Sequence, residues 1–246
     1  IKDMALYHNP RIVTSGLVVL VDPSDTSSWD GSSSTINDLA QGLSLTKGAN
    51  TVAVTSDGHT VFGASATSGV IDTGYRYGTT SDTVVDSAGS WTINGWMFKS
   101  ENPNNWWHVY TDGNSGDILT VYNSSPYNFR TSMNNAGGNG TFTTGADITD
   151  YGAGWGDLSN GWQNITLVYD QPGSQLQLYI NTVAQGWHTG RTINTGFKLR
   201  NFYGWGSAQG SYHTDADHSH TTIYSRVLSQ DEITQNYKSL KTRFGL

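Results

Sequence analysis

The stretch Ile165-Thr166-Leu167-Val168-Tyr169-Asp170-Gln171-Pro172-Gly173-Ser174-Gln175-Leu176-Gln177-Leu178-Tyr179-Ile180-Asn181 decides the fold. Ile165, Leu167 and Tyr169 alternate with Thr166 and Val168; beyond the break, Leu176, Leu178 and Ile180 alternate with Gln177, Tyr179 and Asn181. A period of two places successive side chains on opposite faces of a strand. Pro172 presets φ at the first central position of a β-turn and Gly173 follows it, so the two runs read as an antiparallel hairpin.

The same rhythm extends outward. Ser90-Trp91-Thr92-Ile93-Asn94-Gly95-Trp96-Met97-Phe98 sets Trp91, Ile93 and Met97 on one face and Thr92, Asn94, Trp96 and Phe98 on the other. Short apolar runs separated by Gly, Ser, Asn and Asp recur along the chain, and Asp57-Gly58 and Asp112-Gly113 read as hairpin turns. Asn134 to Gly161 is rich in Gly and Asn with little period, and reads as short loops around a strand near Thr141–Thr144. One helix is expected, at the end of the chain. Ser229 can N-cap it, Glu232 is the capping-box partner, Leu228 can staple to Ile233, and Ile233, Tyr237 and Leu240 form the apolar stripe.

Composition narrows the function. The chain of 246 residues is 12% aromatic and 13% charged, against a usual charged share of about 25%, which describes a globular body rather than a disordered tract. The net charge is −7, and residues 1–197 carry the acidic excess, so nucleic acid and anionic membrane surfaces are excluded as expected partners. Without cysteine there is neither a disulfide nor a thiol nucleophile. No run approaches the roughly 18 apolar residues of a membrane span, and no membrane insertion is expected. Met4 reads as a natural start, and Ala5 to Arg11 lacks the basic and apolar regions of a Sec-type signal.

The closing run Ile223-Tyr224-Ser225-Arg226-Val227-Leu228-Ser229-Gln230-Asp231-Glu232-Ile233, with Asn236-Tyr237 and Lys241-Thr242-Arg243-Phe244-Gly245, resembles the end of the laminin-G-like, concanavalin-A-like jelly-roll domains of tailed-phage virion structural proteins. The opening, Tyr7-His8-Asn9-Pro10-Arg11-Ile12-Val13-Thr14-Ser15-Gly16-Leu17-Val18 with Leu20-Val21-Asp22, is similar to the start of the same group, where an arm precedes the first strand. Asp38-Leu39, Ser90 to Trp96, and Trp162 to Tyr169 with Leu176 to Asn181 fit between them. Where the group usually has apolar residues, this chain has His218-Ser219-His220-Thr221-Thr222, which leaves the last strand's burial and its histidines without a role from the resemblance.

The resemblance implies an all-β, antiparallel jelly-roll sandwich: an N-terminal arm over 1–16, then a body over 17–246 that includes a helix at about 229–243. It implies a non-enzymatic decoration or structural module on the capsid or tail, oligomeric on the particle, assembled in the host cytoplasm and displayed on the virion surface. The alternative is a lectin-like module for adsorption to a host-surface glycan, and the third reading is a glycoside hydrolase. Hydrolysis needs two carboxyl groups flanking the bond. The chain has two glutamates, Glu101 and Glu232, and lacks the Glu-x-Asp-x-x-Glu strand motif of jelly-roll glucanases. No enzyme activity and no required cofactor are expected.

Candidate sites follow from residue type. Trp106, Trp107 and Trp155 have polar neighbours and are the candidates for stacking on sugar rings, whereas Trp162 reads as core and Trp187 and Trp205 stay open. His218 and His220 would share a side in an extended chain, as a chelating pair does. Calcium, which the wider fold often uses, would sit at loop aspartates such as Asp22 or Asp38. In the arm, Met4, Leu6, Tyr7, Ile12 and Val13 have no strand or helix period and no turn to fold them back. They are the expected anchors to neighbouring capsid or tail subunits.

Overall fold

The computed structural model describes residues 10–47, 51–56, 59–64, 75–77, 89–99, 107–111, 117–121, 127–132, 148–190, 201–202 and 216–246. In chain order the strands are β1 (Leu17–Val21), β2 (Thr35–Asn37), β3 (Ser44–Lys47), β4 (Thr51–Ser56), β5 (His59–Ala64), β6 (Tyr75–Tyr77), β7 (Trp91–Lys99) and β8 (Trp107–Thr111). They continue as β9 (Asp117–Val121), β10 (Asn128–Ser132), β11 (Ile148–Gly154), β12 (Gly161–Asp170), β13 (Gln175–Ile180), β14 (Val183–His188), β15 (Asn201–Phe202) and β16 (His218–Tyr224). One α-helix follows, α1 (Gln230–Leu240), with 3-10 turns at Trp155–Asp157 and Lys241–Phe244.

Among the described residues two antiparallel eight-stranded sheets face each other. The first runs β14-β13-β12-β7-β16-β5-β4 with β1 also paired to β16, and the second runs β11-β10-β9-β8-β15-β6-β3-β2. The expected hairpin is the backbone of the first sheet. Leu167 stands opposite Ile93 on one side and Leu178 on the other, and Tyr169 opposite Trp91 and Leu176. These side chains, with Val19, Val21 and Ile223, fill the space between the sheets against Val109, Ile118, Val121 and Phe129. In the connecting turn Ser174 N–H donates to Gln171 O at 3.0 Å, and the Asp170 and Gln175 side chains, joined by a 3.1 Å hydrogen bond, close over Gly173. Ser56 stands opposite His59, the register that Asp57-Gly58 predicts.

The outer face of the first sheet is buried too. Trp96, Trp162 and Phe244 form one cluster, Phe244 lying 4.3 Å from Trp96 and 4.7 Å from Trp162 between ring centroids, with Tyr237 and Leu240 of α1 over them. Val168, Tyr179, Tyr224, Leu228 and Ile233 form a second cluster. Between them runs a polar band in which Asn94 Nδ2 donates to Asn164 Oδ1 at 2.8 Å, and in which Asn94, Asn164 and Thr166 are all buried. α1 spans the two clusters, which is why its stripe combines Ile233 with Tyr237 and Leu240. The helix starts with the expected capping box: Glu232 N–H donates to Ser229 Oγ and Ser229 N–H to the Glu232 carboxylate. It ends earlier than the expected 243. Residues 241–244 tighten into a 3-10 turn closed by Gly245 at φ 74°, a left-handed conformation that suits glycine.

β16 answers the question raised by its polar sequence. All seven residues His218 to Tyr224 are buried, because β16 lies inside the sheet between β7 and the β1 and β5 strands, and is covered on both faces.

The arm departs from expectation. Leu17 N–H donates to Thr14 O at 3.1 Å and Gly16 takes φ 76°, so Thr14 to Leu17 form the turn that the sequence reading lacked. That turn lays residues 11–15 over the protein's own helix. Val13 is buried there and is not a free anchor, and Ile12 is half-buried. Met4, Leu6 and Tyr7 lie outside the described residues. So does the expected strand near Thr141–Thr144; the described residues that follow it form β11 and the turn at Trp155.

Candidate functional site

The tryptophans expected to meet a sugar sort differently once the sheets are in place. Trp155 is fully buried (0% exposed) and packs edge-on to Phe129 at 6.0 Å, with the Lys99 ammonium 5.9 Å from its ring centroid. The correction has a simple cause: the 3-10 turn that follows β11 carries Trp155 into the core between the sheets, where it packs with Phe129 rather than facing solvent. Of Trp107 the backbone is described, opening β8 opposite Val121; Trp106 and Trp205 lie outside the described residues. Among the described residues the indole that reaches solvent is that of Trp187, 43% exposed on β14, the edge strand of the first sheet. Its register partner is Gln177, whose Nε2 donates to Gly186 O at 2.9 Å and ties the strand beneath the ring. The sequence signal, a Trp flanked by Gly186 and His188, matched that of Trp155. Edge position separates them, and it depends on pairings remote in sequence.

The aspartates proposed for calcium are engaged by the protein. Asp38 accepts from three backbone amides: Leu20 N–H at 2.6 Å and Ala40 N–H at 2.9 Å on Oδ1, and Gln41 N–H at 2.7 Å on Oδ2. Asp22 accepts both terminal guanidinium nitrogens of Arg243 at 2.6 Å. Burial pushes the Asp22 carboxyl up, but the hydrogen bonds from Arg243, the nearby His220 and Arg243, and the Ser24 amide outweigh it and hold it below its ordinary value. Asp22, Ser24, Asp25, Thr26 and Arg243 line an open depression of about 470 Å³.

His218 and His220 are both buried in β16. A break in the β16 register between His218 and Thr221 interrupts the alternation that a chelating pair needs, and puts His218 opposite Met97. Burial holds His218 down at about 3 and His220 down at about 4, the latter despite the Asp22 charge beside it. Among the described residues no three His, Cys, Asp or Glu side chains come together as a metal site.

Two further carboxyl groups are held by hydrogen bonds within the protein. Glu232 holds the capping box and a bidentate pair with Arg226 at 2.8 and 2.6 Å; the hydrogen bond from Arg226 is the main reason it sits at about 2. Asp30 accepts from Ser32 and Ser33 amides in a tight turn. Burial pushes the Asp217 carboxyl up; Asp215 and Glu101 lie outside the described residues.

A sandwich of two antiparallel sheets with one outer face sealed by a terminal helix defines a lectin-like jelly roll. The chain belongs to the concanavalin A-like lectin/glucanases superfamily, whose Laminin_G_3 model matches residues 72–234. No curated protein matches it. Among solved structures it is similar to Trypanosoma rangeli sialidase in complex with 2,3-difluoro-KDN, with a TM-score of 0.64 and 16% identity over 92% of this chain and 33% of that one. It is similar as well to the binding domain of Paraclostridial Mosquitocidal Protein 1 (TM-score 0.61, 14% identity, 90% of this chain and 52% of that). The botulinum neurotoxin serotype D binding domain also resembles it (0.60, 16%, 92% and 52%). The chain thus spans about a third of the sialidase, and these likenesses concern the fold.

Proposed function

We propose that this protein is a non-enzymatic module of a tailed-phage virion surface, a decoration or structural unit on capsid or tail. The observation that carries the reading joins sequence to structure. The two stretches that resemble phage virion proteins, the opening around Arg11 to Gly16 and the close around Tyr224 to Asn236, meet and bond to one another. Tyr224 OH donates to Val13 O at 3.0 Å, Arg226 Nε to Ser15 O at 2.9 Å and Gln235 Nε2 to Arg11 O at 2.7 Å. On this reading the two stretches form one built feature, an arm clasped to a terminal helix. The structural duties of Asp22, Asp30, Asp38 and Glu232 support a module without catalysis. Antibody against the protein should label intact, gradient-purified particles of the phage that encodes it. Label confined to the soluble lysate would reject the assignment.

A second reading, adsorption to a host-surface glycan, is favoured by Trp187. A flat apolar ring held on a fixed strand can stack on the C–H face of a sugar. Binding of bacterial surface polysaccharide that Trp187→Ala abolishes would move the function to that reading.

A further inference from the structure

Helix α1 and the turn after it are held to the sandwich at two separate places. The first half of α1 is seated through Ile233, with Leu228, on Val168, Tyr179 and Tyr224, and Glu232 fixes its start. The closing turn, residues 241–244, is seated through Phe244 on Trp96 and Trp162, and through Arg243 on Asp22. All hydrogen bonds of the Arg243 side chain go to that carboxylate, and its Nε is shut from solvent without a partner. His220 adjoins the pair. Val21 stands opposite Thr221, so Asp22 and His220 are the next residues along β1 and β16, and the register break sets Ser219 and His220 against the single residue Trp96. The charges that act on His220 are those of Asp22, at the end of β1, and Arg243, in the closing turn. Asp25, on the loop after β1, lines the depression beside both. The other elements at this face bring uncharged groups: Trp96 from β7, Tyr237 of α1 stacked on it, and Thr60 of β5, whose carbonyl accepts from Ser24 Oγ.

We infer that the closing turn is an acid-released latch: when His220 takes up a proton, the Asp22 carboxylate passes from Arg243 to the imidazolium, and the turn lifts Phe244 off Trp96 and Trp162 while the first half of α1 stays docked. One carboxylate cannot serve two cations in a site closed to water. With His220 neutral, Asp22 and Arg243 balance; with His220 protonated, the closed site holds two positive charges against one negative, and the excess repels. Arg243 is the cation able to leave. The backbone bonds of its turn are local, from Lys241 N–H to Tyr237 O, Gly245 N–H to Thr242 O and Leu246 N–H to Lys241 O, whereas His220 lies in a strand inside the sheet. The open state binds one more proton, so falling pH favours it. His220 is held at about 4 while the turn is closed, against an ordinary 6.5, and opening therefore gains roughly tenfold per pH unit across that window. What opening uncovers is aromatic: Trp96, and Trp162 edge-on to Phe98 at 5.5 Å. The inference stands without the virion assignment, since it concerns the chain by itself.

Amide hydrogen exchange of the full chain, corrected for the intrinsic rate at each pH, reads the opening directly. In the parent protein the protection of residues 239–244 should fall by roughly 50–100-fold between about pH 7.5 and 4.5. Above about pH 6 the amides of Ile165 to Tyr169 should stay at least about tenfold better protected, because the latch opens without the sandwich. His220→Gln should abolish the fall at 239–244, and His218→Gln should leave it in place. The two parent measurements decide the matter even where a histidine variant does not fold. Equal protection of 239–244 and 165–169 above pH 6 overturns the inference, since the turn then opens only with the whole protein. Protection at 239–244 that is level with pH in the parent, or a fall that survives His220→Gln, overturns it as well.

Discussion

Arg243 grips Asp22 with both terminal nitrogens, joining a residue at the end of the first strand to one 221 positions later, each 17% exposed. The pair pins the closing 3-10 turn to the mouth of the sandwich beside His220. Removing one partner from a buried pair leaves the other uncompensated, at a cost of roughly 3–5 kcal/mol when burial is complete. With the exposure seen here, Arg243→Ala should lower unfolding stability by about 2–3 kcal/mol in urea titration, below the range for complete burial. A change within about 0.5 kcal/mol would show the pair to be an ordinary surface contact.

Stability should fall with acid well before the carboxylates titrate. His218 and His220 are held at about 3 and about 4 in the folded protein, below the usual 6.5, so folding favours the neutral rings. The contribution is fully present above the unfolded value of about 6.5 and is lost as pH falls toward the folded values. Each ring adds a slope of about 1.4 kcal/mol per pH unit in that window. Melting temperature should be level from pH 7 to 8 and drop between 6.5 and 4, and His220→Gln should flatten the drop. A flat profile in the parent protein would mean that the rings are solvated.

Two tryptophans that look alike in sequence should behave differently. Trp155→Ala removes a buried ring and should cost about 3–5 kcal/mol. Trp187→Ala, at an exposed edge, should stay within about 0.5 kcal/mol of the parent. Equal losses in chemical denaturation would contradict the assigned burial.

Truncation of residues 1–13 should weaken the fold, because Val13 is buried and its amide and carbonyl engage Asn236 and Tyr224. The loss of one apolar seat and two hydrogen-bond partners amounts to about 2–4 kcal/mol. Calorimetry that finds the truncated and full chains equally stable would show that residues 11–13 contribute nothing to the folded body.

Helix docking has a sharper anchor than the stripe alone suggests. Ile233 is fully buried against Leu228 and Tyr179, whereas Leu240 is half-buried, so Ile233→Ala should cost about 2–5 kcal/mol and Leu240→Ala less. Ser229→Ala should cost about 1 kcal/mol through the lost cap. Reversal of the Ile233 and Leu240 order would place the stripe on another surface.

What the sequence alone determined is local. The alternation from Ile165 to Tyr169 and from Leu176 to Ile180, with Pro172-Gly173 between, suffices for a hairpin because strand period and turn preference act over neighbouring residues. Ser229 and Glu232 mark the helix start for the same reason. Only the tertiary structure decided the rest. His218 to Thr222 read as polar, yet are buried because β16 lies in mid-sheet under α1. Trp155 and Trp187 sit among similar neighbours, and what separates an inner position from an edge is which strands pair. The Asp22–Arg243 pair and the seating of Val13 on Asn236 and Tyr224 join residues more than 200 positions apart. Such contacts form where separate segments are brought together by the shared burial of their apolar faces, and no short window of sequence encodes that meeting.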